Sequence, residues 1–244
     1  MSERLIGIVA ALPEEIRPLQ QRLQESRRVR LGRSKALQGV LAERRIMTMV
    51  TGDGSERARL GLTDLLTHVD LEAVFAIGIA GGLSADLDVG DVVVASRVLN
   101  GTGEVPPPDR QWLARARQLE GVVDGSVYSH SEIAIDPVAK ERLWQQSGRR
   151  PAQVVDLESA TYARAAAAKE IPYLAIRAVS DSSEEALPLD FNRFRRSDGS
   201  SDRVSVAWHA MRHPSIVPEL MQLRERLQHC ADRLARFVEE ILSR

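Results

Sequence analysis

Cys230 is the only cysteine among 244 residues, so no intrachain disulfide can form and no cysteine-built metal site exists. That usage fits a reducing cytoplasm. Lysine is scarce too, occurring only at Lys35, Lys140 and Lys169, and arginine supplies almost all of the positive charge. We read this as a composition bias spread over solvated helix faces rather than as phosphate-fork chemistry. The formal net charge is −1, so the strongly basic balance of a nucleic-acid binder is missing. No window approaches 18 uninterrupted apolar residues. The opening "MSERLIGIVAALPEEI" breaks at Pro13 and two glutamates without a small-residue cleavage site, so neither a membrane span nor a secretory signal is expected. No G-x-S-x-G elbow occurs, and Cys230 lies beside His229 with no activating surroundings, which leaves no acyl-transfer nucleophile. His209 and His213, four apart, would share a helix face as in a zinc site. The helix lacks the glutamate of H-E-x-x-H and a third ligand, so no metal is expected.

What the chain does have is alternation. Leu5 to Leu12 is a continuous apolar run, and Pro13 with Glu14 and Glu15 makes a good helix opening. "SKALQGVLAERRIMTMVTG" predicts two strands turning near Glu43 to Arg45, although Asn-Gly turn chemistry is absent. Helical spacing covers Ser55 to Val69, "RQWLARARQL" and "DPVAKERLWQQ", where Asp136 caps and Pro137 takes the first helical position. "LEAVFAIGIAGGL", "VGDVVVASRVL", "GSVYS" and "IPYLAIRAVSD" read as strands. The sum is a single α/β domain over residues 1–244, with a mixed sheet because the hairpin interrupts the alternation. The proline, glycine and charge of residues 183–203 suggest a candidate lid. Residues 215–242 form a C-terminal amphipathic helix, with Leu220, Leu223, Leu227, Leu234, Phe237, Val238 and Ile241 on one face. Docking onto its own domain is the favoured reading of that face, with a partner subunit or a membrane surface as alternatives.

The glycine stretches fail as a dinucleotide fingerprint, because in "TGDGSERA" Arg57 stands where the third glycine belongs. "GIAGGL", after an apolar strand, still lets backbone come close to a ligand. Three carboxylates stand at junctions between elements: Glu15 after the first strand, Glu158 in "VVDLESA", and Asp181 after "IPYLAIRAVS". Ligands of α/β sheets gather outside strand ends, so the three could share one pocket. Each alone could equally stabilise a helix start.

Four ordered stretches, "IGIVAALPEEI", "IGIAGGLSADLDVGDVVVAS", "VVDLESA" and "IRAVSD", together resemble the nucleoside phosphorylase and nucleosidase superfamily, in particular its methylthioadenosine and S-adenosylhomocysteine nucleosidases. The resemblance implies a purine nucleoside phosphorylase-like fold, with a central, partly barrel-like sheet flanked by helices. It gives Glu15 the activation of water. Glu158, behind Leu157, would hold the ribose hydroxyls, Asp181 would address the purine, and Arg177, shortly before it, would count with Glu15 and Asp181 among the catalytic residues. Gly81 and Gly82 would wrap the ribose. Ile79 stands where the nucleosidases usually carry a serine, and Ile133 lies near their base-stacking position.

Breaking an N-glycosidic bond builds positive charge on the sugar and negative charge on the base. Glu158 would stabilise the first, and Asp181 would protonate or hydrogen-bond N7 against the second. The phosphorylase pattern G-x-P-x-R is absent near the N-terminus, so the expected reaction is hydrolysis of an adenosine-type, 5′-substituted nucleoside to release adenine. Phosphorolysis and non-catalytic nucleoside binding stand as alternatives. The stretches "SDSSEEALPLDF" and "HPSIVPEL" are similar to the hopanoid-associated branch, which removes adenine from adenosylhopane. No metal or organic cofactor is implied, and a homodimer is the default.

Overall fold

The computed structural model describes residues 4–196 and 200–244. Strand β1 (Leu5–Ala10) is apolar throughout and buried beyond its first residue, as a central parallel strand must be. Helix α1 (Pro13–Arg22) starts at the expected proline. Three antiparallel strands come next: β2 (Gln24–Leu31), β3 (Ser34–Leu41) and β4 (Arg44–Val50). The β3–β4 turn needs two left-handed residues, and it takes them at Ala42 (φ 47°) and Glu43 (φ 62°) without glycine. After α2 (Ser55–His68) come β5 (Leu71–Gly82), β6 (Val92–Asn100), the short β7 (Gly103–Glu104) and α3 (Arg110–Ala116). The chain continues through β8 (Val122–Ser129), α4 (Pro137–Gln146), β9 (Gln153–Asp156), α5 (Ser159–Ala167) and β10 (Tyr173–Asp181). It ends with α6 (Arg203–Arg212) and α7 (Val217–Leu242).

Strand β5 organises the sheet. On one edge it pairs parallel with β1 and then, at Gly81 and Gly82, antiparallel with β9; on the other it pairs parallel with β10. The order β10-β6-β8-β9-β5, with β10 also on β5, closes five strands into a barrel. Strands β1, β4, β3 and β2 extend the sheet outward from β5. The single α/β domain with a mixed, partly closed sheet is therefore as the sequence implies. Where β8 meets β9 the backbones crowd: a Cβ on Gly125 would lie 2.0 Å from the Ala152 carbonyl oxygen. Only glycine fits there.

Helices α1 and α7 cover one face of the sheet, and Ile8, Ile16, Leu19, Phe75, Leu234, Val238 and Ile241 pack into one buried cluster. On the opposite face Leu62, Leu65, Val74, Tyr162 and Ala163 share another. Each fully buried side chain of this size stabilises the fold by roughly 1.5–3 kcal/mol. The second half of α7 thus docks on its own domain, while Leu220, Leu223 and Leu227 in its first half stay half-buried.

The candidate lid, 183–203, carries a 3-10 turn at Phe191–Phe194 and a bridge between Arg195 and Ser201; its residues 197–199 lie outside the described residues. It is tied down on both sides. Leu187 N–H donates to the Ile135 carbonyl at 2.8 Å, and Ser201 gives both its N–H and its hydroxyl to Asp53 Oδ2, at 2.7 and 2.6 Å. Among the described residues no helix is long and apolar enough to cross a membrane.

Candidate active site

The ends of β1, β5, β9 and β10 open into one cavity of about 270 Å³, lined by Glu15, Glu158 and Asp181 among others. Glu15 sits in the first turn of α1, and its carboxylate does two things. Oε2 accepts the Leu12 N–H at 2.8 Å, which serves the helix start, and Oε1 accepts the Ile79 N–H from β5 at 2.9 Å. Burial pushes its pKa up to about 7, against the opposing pull of those two backbone donors. A base near neutrality is what water activation requires.

Glu158 is the residue before α5, yet its carboxylate caps nothing. That duty falls to Asp156, which accepts the Ser159 N–H at 3.1 Å through Oδ2, and to Ser129, whose hydroxyl accepts the Ala160 N–H at 2.9 Å. Glu158 is left to take the Gly54 N–H on Oε1 at 2.8 Å and to line the cavity. Burial, and after it the Asp156 charge, raise its pKa to about 8. Gly54, with φ 87°, belongs to the stretch that failed as a dinucleotide motif. Its role here is to aim one N–H at Glu158.

Asp181 ends β10, and both of its carboxylate oxygens have close neighbours. The Ser180 hydroxyl donates to Oδ1 at 2.5 Å, and the ammonium of Lys140 lies 2.5 Å from Oδ2. Lys140 is fully buried in α4 and also donates to the carbonyls of Ser182 at 2.6 Å and Glu185 at 2.7 Å. Sequence reasoning missed it. The available signal was its place three and seven residues before Leu143 and Ser147, on the face of α4 that the fold buries.

Arg177, which the resemblance sets beside the catalytic groups, lies beneath the cavity and does not line it. Its Nε and Nη2 meet Asp156 Oδ2 at 2.9 and 2.8 Å, Nη2 also donates to the Ser159 hydroxyl at 2.7 Å, and Nη1 donates to the carbonyls of Ala76 and Ile176. Four guanidinium N–H groups thus donate hydrogen bonds within the protein, and Nη2 adds an ion pair with Asp156. What Arg177 does is fix Asp156, which in turn caps α5.

The glycines of β5 make room for the carboxylates themselves. A Cβ at Gly78 would stand 3.1 Å from Glu15 Oε1, and one at Gly81 3.1 Å from Asp181 Oδ2. Gly81 lines the cavity, whereas Gly82 faces the β10 backbone, where a Cβ would meet the Asp181 carbonyl oxygen at 3.2 Å. Ile79, Leu157 and Ile133 all line the cavity. Ile133 is held by Asn192, whose side chain accepts its N–H and donates to its carbonyl, both at 2.9 Å. That clamp brings Phe191 and Leu187 of segment 183–203 to the cavity wall, opposite Leu223 and Leu227 of α7. Among the described residues no cluster of histidine, cysteine and carboxylate side chains could hold a metal. The site can thus offer a base near neutrality, a second acid for a polar ligand edge, and an anchored aspartate, all within an apolar wall.

Residues 5–243 match the family model described as the phosphorylase superfamily. The chain is 26% identical over 214 residues to the 5′-methylthioadenosine/S-adenosylhomocysteine nucleosidase of Listeria monocytogenes, covering 78% of this chain and 91% of that one. It is 25% identical over 226 residues to the protein of the same name from Staphylococcus epidermidis, covering 83% and 98%. Among solved structures, the S-adenosylhomocysteine nucleosidase of Streptococcus pyogenes, in complex with 5-methylthiotubericidin, superposes with a TM-score of 0.78 at 18% identity over 100% of this chain and 98% of that one. A futalosine hydrolase mutant from Helicobacter pylori superposes at 0.73, also at 18% identity, over 98% of each chain. These likenesses establish the fold. That proteins of different substrate share it leaves the activity to be argued from the site.

Proposed function

Since the chain belongs to the phosphorylase superfamily, we propose that it is a purine nucleosidase, hydrolysing the N-glycosidic bond of an adenosine-type, 5′-substituted nucleoside to release adenine. The observation that carries this reading is the division of labour among three buried carboxylates on one cavity. Glu158, relieved of capping by Asp156 and Ser129, is free to take the ribose 2′- and 3′-hydroxyls. Glu15, near 7, takes the proton of the attacking water as the oxocarbenium-like sugar develops. Asp181 protonates or hydrogen-bonds N7 of the departing purine. Phosphorolysis would need cationic side chains for phosphate in the cavity, and Arg177 has its guanidinium fully engaged with protein groups. The same reading carries a cytoplasmic homodimer that works without metal or organic cofactor.

One observation favours a narrower substrate. Leu187, Phe191, Leu223, Leu227 and Ile133 make much of the wall apolar, which suits an apolar 5′-substituent and supports the hopanoid-associated reading, with adenosylhopane as substrate. The test is adenine release from methylthioadenosine, S-adenosylhomocysteine, adenosine and a nucleoside bearing a long alkyl 5′-substituent, with and without phosphate. Release that ignores phosphate and favours the apolar substituents is expected. No release from any of the four would sink the nucleosidase reading.

A further inference from the structure

We propose that Lys140 is a positioning residue for the leaving base, acting through Asp181. This rests on the nucleosidase reading and adds to it a residue that never touches substrate. Lys140 is absent from the cavity wall, while Asp181 is part of it. The Lys140 ammonium donates to two backbone carbonyls, those of Ser182 and Glu185, at 2.6 and 2.7 Å, and forms an ion pair with Asp181 Oδ2 at 2.5 Å. A buried charge needs such partners, since removing one member of a buried pair leaves the other uncompensated. Two of the partners are backbone. The third is the one side chain in the group that faces the ligand.

The arrangement suits departure of the base. As the C1′–N9 bond breaks, its electron pair goes to the purine, and a solvent proton relayed by Asp181 reaches N7. The carboxylate left behind meets a cation already in place, with no side chain having to reorganise. Water supplies hydroxide to C1′ and its remaining proton to Glu15, which releases it to solvent as solvent replaces the proton passed through Asp181, so the sum is hydrolysis. A second cavity, of about 230 Å³ and lined by Glu185, Glu219, Gln222 and Arg226, adjoins the first at Asp181, Leu187 and Leu223 and gives solvent a polar approach. The geometry also explains why lysine serves here in a chain so rich in arginine. Three acceptors around one nitrogen suit a compact ammonium, and a planar fork would not fit them.

The test is a double-mutant cycle on adenine release, using wild type, K140M, D181N and K140M/D181N, with thermal melting as the check on folding. We expect K140M to lower kcat by about 10²-fold, within the range for losing acid assistance, and to move KM by less than about threefold. In the D181N background the same change should cost less than about threefold. Equal losses in both backgrounds would mean that Lys140 only holds the Ser182 and Glu185 carbonyls, and would overturn the proposal, as would wild-type kcat in K140M. Should K140M not fold, K140Q, which keeps a polar head for those carbonyls, enters the same cycle with the same expectations. A wild type that releases no base from any nucleoside sinks the nucleosidase reading itself, and this proposal with it. K140M with undiminished kcat sinks the proposal alone.

Discussion

Glu15→Gln separates the two jobs of that carboxylate and puts a sign on each. Glu15 titrates at about 7 in the folded chain against 4.5 for an ordinary glutamate, so the folded state holds a proton that the unfolded state has released. Stability from this group is complete below 4.5 and is lost as pH rises through 7. At ~1.4 kcal/mol per pH unit the loss amounts to roughly 3 kcal/mol by pH 8. Glutamine carries no such loss. It does, however, present one amide N–H to either the Leu12 or the Ile79 N–H, an unsatisfied pairing that costs about 1–3 kcal/mol at every pH. The variant should therefore be less stable than wild type at pH 5 and match or exceed it at pH 8.5. Urea denaturation of both proteins at the two pH values, followed by tryptophan fluorescence, measures the swing. A stability gap unchanged between them would refute the reasoning. In parallel, wild-type adenine release at limiting substrate should fall about tenfold per pH unit below 7, and E15Q should lose about 10²–10⁴-fold throughout.

Arg177→Met should destabilise the fold by about 3–5 kcal/mol, because it leaves Asp156 as an unpaired buried charge; denaturant titration reads this, and a change under 1 kcal/mol would show that Asp156 has another partner. Gly81→Ala should keep the melting temperature within a few degrees but lower turnover at least tenfold, since its Cβ would press on Asp181 Oδ2 from 3.1 Å; full turnover would mean the carboxylate moves aside without consequence. Asn192→Ala should raise KM more than it lowers kcat, because it releases the two hydrogen bonds that hold the 3-10 turn against Ile133; an unchanged KM would remove segment 183–203 from substrate binding.

Most elements were legible because their apolar runs are continuous or periodic, and two of the strands that were not show why. Strand β2, "QESRRVRL", is a sheet edge whose exposed arginines carry no alternation of apolar and polar residues, as edges that resist further pairing commonly do. Strand β9, "QVVD", is four residues long and reads as the approach to α5 until β8 and β5 are seen on either side of it. The β3–β4 turn escaped the usual signal because its left-handed positions are occupied by alanine and glutamate.

For the site, position was legible and environment was not. Junctions between strands and helices marked Glu15, Glu158 and Asp181, because strand ends converge in α/β folds. What tunes each carboxylate arrives from far along the chain: Gly54 to Glu158 across 104 residues, Ile79 to Glu15 across 64. Backbone donors carry no side-chain signature, so no motif could announce them. The local hydrogen bonds of α5 show that Glu158 does not serve as its cap. Its neighbours Asp156 and Ser129 already satisfy the first N–H groups of α5, so a capping role would be redundant. On the proposed function, a glutamate that costs burial, caps nothing and faces a cavity finds its compensation in a vicinal diol, which supplies the two donors that its carboxylate can take.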